Sequence, residues 1–167
     1  MGLDITAYKN VKLIGAAQSY EEYEENYDWR ETDYIETWVP NHFGDAYAGT
    51  IPGSVYEAED SFGFRAGSYS GYNYWRNWLS ITFLGVSAQE VWDNAETYSN
   101  KPFWRLIEFA DNEGVIGPIW SAKLAIDFAN HQATVDALPC EQWLKDCYAY
   151  WRKAFEMAAQ NGYVKFH

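Results

Sequence analysis

An aromatic surplus is the feature that most limits what this chain can become. Among 167 residues there are nine Trp, 14 Tyr and nine Phe, and the formal net charge is −12. Ile, Leu, Val and Phe together make up only about a fifth of the chain. That aliphatic poverty, joined to a high net charge, borders on compositions that stay unfolded. Rings reverse the balance, because each buried Trp, Tyr or Phe removes a large area from water. An ordered fold of this sequence must therefore be built around stacked rings. The length suits one domain and is short for two, so a single domain over 1–167 is expected.

The charge also narrows function. With pI near 4.5, the chain lacks the basic face that phosphate-tracking nucleic-acid binders need, and no direct nucleic-acid contact is expected. No apolar run approaches the length of a membrane span, and none is expected. Met1-Gly2-Leu3-Asp4-Ile5-Thr6 fits an N-myristoylation pattern. It also reads as a strand, with Leu3, Ile5 and Ala7 alternating against Asp4, Thr6 and Tyr8, and no polybasic second anchor follows. Cys140 and Cys147 lie seven residues apart on one expected helix, about 10 Å along its axis, too far for a disulfide. That usage suits a reducing interior.

Along the chain, the first expected strand covers residues 3–8. The most biased segment, 19–36, follows. It carries Glu21, Glu22, Glu24, Glu25, Asp28, Glu31, Asp33 and Glu36 against Arg30 alone. Ser19 with Glu22 forms a capping box, and Tyr20, Tyr23 and Tyr27 share one helical face. This predicts a short acidic surface helix resting on tyrosines. Strands are expected at 36–39 and 54–58, separated by a turn-rich stretch. A loop with glycine every fourth residue, 63–71, leads into a helix over 72–84. Ser87 and Glu90 frame another box, with Val86 and Val91 as a staple. Pro102 and Pro118 open further helices, over 103–110 and 119–131. A last helix covers 141–160, ended by Asn161-Gly162, and 163–166 closes the sheet as an edge strand. The expected architecture is α+β, a small antiparallel sheet including both terminal strands packed on four or five helices.

Three places offer chemistry. In the glycine loop, Arg65, Gly67, Ser68 and Ser70 stand just before a helix N-terminus, where free amides and the dipole favour an anion. Tyr69, Tyr72 and Trp75 can supply stacking. The spacing matches neither standard nucleotide fingerprint, and the competing reading is a plain strand–turn–helix corner. Glu108, Asp111 and Glu113 form the second place, able in principle to bind a cation or act as acid and base. The third is the acidic face itself, Glu21, Glu22, Glu24, Glu25 and Asp28. The histidines show no zinc spacing, and His131 continues a helical apolar face, so it reads as half-buried and hydrogen-bonded. No catalytic signature, cofactor or metal site is expected.

Several stretches carry a resemblance. They are Met1 to Ile5, Phe62 to Asn73 with Trp75-Arg76, and Phe109 to Gly114 with Ile116-Gly117-Pro118. Ser121 to Ala125 and Trp151 to Phe155, with the residues on to His167, complete the set. In these the chain resembles a family of uncharacterised tailed-phage and prophage proteins. The resemblance implies no activity, only a setting: a phage product acting in the bacterial cytoplasm. Two binding functions and one enzymatic one are then expected in turn. The first is a non-catalytic counter-defence binder that sequesters a small anionic, nucleotide-derived host signal at Arg65, Gly67, Ser68, Tyr69, Ser70, Tyr72, Trp75, Asp111 and Glu113. The second is an acidic inhibitor that covers a basic surface of a host nucleic-acid-binding protein. The third is a small enzyme using Asp111 or Glu113.

Overall fold

The structure, a computed structural model, describes residues 2–109 and 114–167, and for 41–43 the main chain alone. The fold is α+β. Strand β1 (Leu3–Lys9) lies inside a four-stranded antiparallel sheet, between β5 (Asp60–Gly67) and β7 (Tyr163–Phe166), with β6 (Gly114–Ile116) beyond β7. Leu3, Ile5 and Ala7 point one way and meet α7 (Gln142–Ala158). Asp4, Thr6 and Tyr8 point the other way, as period-two alternation requires.

A second sheet of three strands, β2 (Lys12–Ala16), β4 (Ser54–Glu57) and β3 (Thr32–Tyr34), sits apart from the first. One antiparallel sheet was the expectation; two form. The chain leaves the larger sheet at Asn10, which takes a left-handed φ of 47°, and returns at Glu59, whose amide bonds the Lys9 carbonyl at 3.0 Å. The strand expected at 36–39 is absent; pairing falls instead on Thr32–Tyr34. In that register Asp33 and Tyr34 are buried while Glu36 stays in water, so the pairing avoids burying an unpaired carboxylate. Likewise, β7 is an interior strand rather than an edge. Only three residues of β6 are needed to cover it, too short a run to read from periodicity.

Helices fill the other side of the larger sheet. Beside α7 lie α2 (Tyr69–Leu84) and α6 (Pro118–Ala137), with the short α3 (Ala88–Asp93), α4 (Ala95–Tyr98) and α5 (Trp104–Glu108) between them. Helix α1 (Tyr20–Asn26) packs on the second sheet, and a 3-10 turn over Asn41–Tyr47 lies against β6 and the main core. Three N-termini follow the sequence signals. The Glu22 and Glu90 amides bond the Ser19 and Ser87 hydroxyls at 3.2 Å each, and Pro118 opens α6. Cys140 and Cys147 are free thiols. The core is the expected stack of rings: Trp151 lies parallel to Trp75 and Phe155 with ring centres 5.9 and 5.8 Å away, and edges onto Phe64 at 5.1 Å.

The end of α7 shows why a glycine is required. Asn161, not Gly162, takes the left-handed conformation, at φ 51°. A Cβ on Gly162 would overlap the Tyr8 main-chain carbonyl, because β1 passes against the turn. Gly162→Ala is therefore expected to cost about 1–3 kcal/mol, at the upper end because backbone yields less than a side chain. Urea unfolding reads this directly, and a loss below about 0.5 kcal/mol would show the approach to be looser than drawn.

Candidate functional site

The glycine segment is mostly strand. Residues Gly63 to Ala66 belong to β5, and Gly67, at φ 112°, turns the chain into α2. Ser68 caps that helix by accepting the Gly71 amide at 3.0 Å, and its hydroxyl lies 3.1 Å from that of Ser70. The strand–turn–helix corner is thus what these glycines build. Tyr72 and Trp75, expected to stack on a guest, are instead fully buried. Trp75 donates its indole N–H to the Leu144 carbonyl at 3.1 Å, and both rings pack on Trp151. Helical periodicity turns these two rings inward, and they cannot reach a ligand outside. Tyr69 is half-buried against the same core. Arg65 is exposed and lies across the main chain at Gly2, on the sheet face opposite the helices. None of the residues 62–75 lines either of the two cavities that flank the smaller sheet.

Of the second cluster, Asp111 and Glu113 lie outside the described residues. Glu108 belongs to a different network. It accepts from Arg105 at 3.0 Å, and Arg105 also pairs with Asp45. The guanidinium lies against the tilted pair of rings Trp104 and Trp120, 4.4 and 4.5 Å from their centres, which are themselves 5.6 Å apart. Sequence reading missed this buried arginine, because its partners come from three separate elements. Burial outweighs the neighbouring Arg105 and pushes the Glu108 carboxyl from 4.5 up to about 7. Among the described residues, no group of three or more His, Cys, Asp and Glu is placed to hold a metal. His131 is half-buried, its Nδ1 2.9 Å from the Asp127 carbonyl oxygen, as its position on the helix predicted.

What the structure does assemble lies on the open face of the larger sheet, where the smaller sheet docks. Asp33 of β3 accepts from the Tyr163 hydroxyl at 2.7 Å and from the Lys165 ammonium at 2.8 Å. Lys165 also donates to the Tyr34 carbonyl at 2.8 Å. These bonds clamp β3 onto β7. Burial and the Asp33 charge push the Tyr8 and Tyr163 phenols well above their usual range. A cavity of about 270 Å³ opens on one side of the clamp, between Tyr20, Glu36, Trp38 and Tyr47 on the acidic side and Lys165 and His167 on the sheet. Another, of about 340 Å³, lies on the other side and is lined by Tyr8, Trp29, Asp33 and Glu59 among others. His167 Nε2 is 3.0 Å from the Thr6 hydroxyl. Burial first, and the nearby Lys165 charge second, hold that imidazole below its ordinary 6.5.

The acidic helix packs through one side only. Tyr23 is buried against Tyr34 and Val55, its ring 5.3 Å from that of Tyr34, and its hydroxyl donates to the Thr32 carbonyl at 2.9 Å. Tyr20 and Tyr27, expected to share the buried stripe, are exposed and half-buried respectively, since a seven-residue helix has one full inward position. Glu21, Glu22, Glu24, Glu25 and Asp28 are all exposed. Glu22 accepts the Gln18 amide, and Asp28 accepts the Arg30 amide. Among the described residues, none of these five is ion-paired with a Lys or Arg. Beside them stand the exposed rings of Tyr20, Trp29 and Trp38.

Comparison with protein-family models, with curated proteins and with solved structures finds no match at any of the three. Among the described residues, no helix is long and apolar enough to cross a membrane.

Two outcomes check the clamp and the buried acid. Asp33→Ala removes the acceptor of the Tyr163 hydroxyl and the counter-charge of Lys165, which keeps the Tyr34 carbonyl, and a loss on the order of 3 kcal/mol is expected in denaturant unfolding. For Glu108 the sign runs toward acid. A carboxyl that binds its proton more tightly when folded favours the native state below 4.5 and loses that advantage as pH climbs to about 7. Each tenfold gain in proton affinity is worth about 1.4 kcal/mol, so the swing is at most about 3.5 kcal/mol. Glu108→Gln keeps an acceptor for Arg105 and should flatten the fall in melting temperature over that window. An unchanged pH profile would place the buried charge elsewhere.

Proposed function

We propose that this chain is a non-catalytic binding protein whose acidic face covers a basic surface of another protein. One observation carries the reading: five carboxylates on and beside α1 are exposed and without a cationic partner among the described residues, next to three exposed aromatic rings. Like charges held together on a short helix repel, and an opposite surface relieves that repulsion on contact. Trp and Tyr are the side chains that most often anchor such contacts, with charges around them steering the encounter. The resemblance to tailed-phage proteins supports placing this binder in an infected bacterial cytoplasm, with a nucleic-acid-binding host defence protein as the target class.

Sequestration of a small anionic signal is the weaker of the two binding readings. Tyr72 and Trp75 are committed to the core, and the cavity nearest the open face is bordered by Glu36. An enzymatic role would rest on Asp111 and Glu113, for which no described geometry speaks.

The test is affinity capture from host lysate with the full chain as bait. A basic protein should be retained at low salt and released near 1 M, where the Debye length is about 3 Å. Glu21→Gln, Glu24→Gln and Glu25→Gln together should remove at least nine-tenths of the captured partner while leaving the Ser19–Glu22 cap in place. Capture that ignores both salt and these substitutions would overturn the reading.

A further inference from the structure

Within that acidic face, on which this inference rests, we infer that the cavity between Trp38 and Lys165 is an anchor pocket for one arginine side chain of the basic partner. Its walls are Tyr20, Trp38 and Tyr47, its outer border carries the Glu36 carboxylate, and its floor is the open face of the larger sheet. At about 270 Å³ it falls just below the roughly 300–1,000 Å³ usual for small-molecule sites and suits a single long side chain.

The electrostatics select the sign of the guest. Lys165 is the cation in the wall, and its charge is already engaged by Asp33, with the Tyr34 carbonyl taking a further N–H. His167 is the other basic group, and burial and Lys165 both favour its neutral form. Among the described residues, the acids that act here are Glu36 in the lining and Glu24, near enough to act on the Tyr20 phenol. Burial and then the charges of Glu24, Asp33 and Glu36 raise the Tyr20 phenol, so the field at that ring is negative. An anion entering here would meet uncompensated carboxylates; a cation would meet carboxylates and π-faces. Among cations, guanidinium is the better fit. It is planar, weakly hydrated, stacks on aromatic faces and can bond a carboxylate through two N–H groups at once. The chain uses that chemistry itself, where Arg105 lies against the Trp104 and Trp120 rings and bonds Glu108. The core does not need the borrowed surface: Tyr20 is 51% exposed and Trp38 67% exposed.

Titration of the isotopically labelled full chain with N-acetyl-argininamide, followed by NMR, tests the pocket without the partner. Saturable shifts are expected at the Trp38 indole N–H and at the amides of Ile35, Glu36 and Val115. Half-saturation should fall in the millimolar range, as befits one anchor removed from its interface. Trp38→Ala should abolish the response, and Glu36→Gln should weaken it several-fold. Both side chains are exposed, so unchanged melting temperatures serve as the folding control. Adenosine monophosphate should produce no saturable shift at these positions. Shifts scattered over 21–28 alone, no saturation at Trp38, or preferential binding of the nucleotide would each overturn the assignment. The larger reading fails separately. If lysate capture is lost to the Glu21, Glu24 and Glu25 substitutions but not to Trp38→Ala, the acidic face stands and the arginine pocket falls. If argininamide binds but no basic protein is captured, the reverse holds.

Discussion

The carboxylate of Asp33, with the Tyr34 carbonyl and the Tyr56 ring that meet the same strand, joins the two sheets of this molecule. Its bonds to Tyr163 and Lys165 run from a three-residue strand of the small sheet to an interior strand of the large one. The small sheet and α1 share only a small core of their own, Ala17, Tyr23, Tyr34 and Val55, so their position depends on contacts with the larger sheet. Buried ion pairs seldom add much stability over a packed apolar alternative, yet they fix which surfaces meet. Here the clamp sets the orientation of α1 and of residues 35–38 against the open sheet face. The two cavities lie beside these contacts, one lined by Lys165 and the other by Asp33 and Tyr56.

The rest of the interior explains why so few aliphatic residues suffice. Trp75, Trp151, Phe155, Phe128 and Tyr148 form a continuous ring stack between the sheet and α2, α6 and α7. The buried cations of this interior are packed against rings: Arg105 against Trp104 and Trp120, and Arg76 against two others. Arg76 lies 5.0 Å from the Tyr72 ring centre and 4.7 Å from that of Trp92, and it donates to the Phe109 carbonyl. Tyr72 and Trp75, which look in sequence like companions of the glycine turn, belong to this stack.

Three helix starts and the ring-based core were legible because their signals are local, whereas the end of α6, expected at 131, lies at Ala137. Ser19–Glu22, Ser87–Glu90 and Pro118 each specify a helix start within four residues. The alternation in Leu3 to Tyr8 likewise marked a strand. Strand partnership was not legible, because β3 and β6 are three residues long and their pairing is decided by distant side chains. Asp33 illustrates the difficulty: in sequence it is one of eight acids in a charged run, and only Tyr163 and Lys165, some 130 residues away, distinguish it. The acidic face was legible as composition. Its exposed aromatic border was not, since Trp29 and Trp38 fit no period, and only the turn of the chain around β3 brings them beside α1.

The distribution of charge is the strongest argument that the acidic face serves something outside the molecule. Stability could be served by fewer acids there. Tyr23 packs, Ser19 caps, and Glu22 returns to the Gln18 amide; Glu21, Glu24 and Glu25 add mutual repulsion without an intramolecular cation among the described residues. Acids in the first turn do favour the helix dipole, but Glu24 and Glu25 lie beyond it, toward the end where a negative charge is unfavourable. Meanwhile Lys123, Arg152 and Lys165 are each paired with an acid elsewhere. Arg30, the cation nearest α1 in sequence, lies over the Trp29 ring, and a positively charged surface would relieve the repulsion left among the acids of α1.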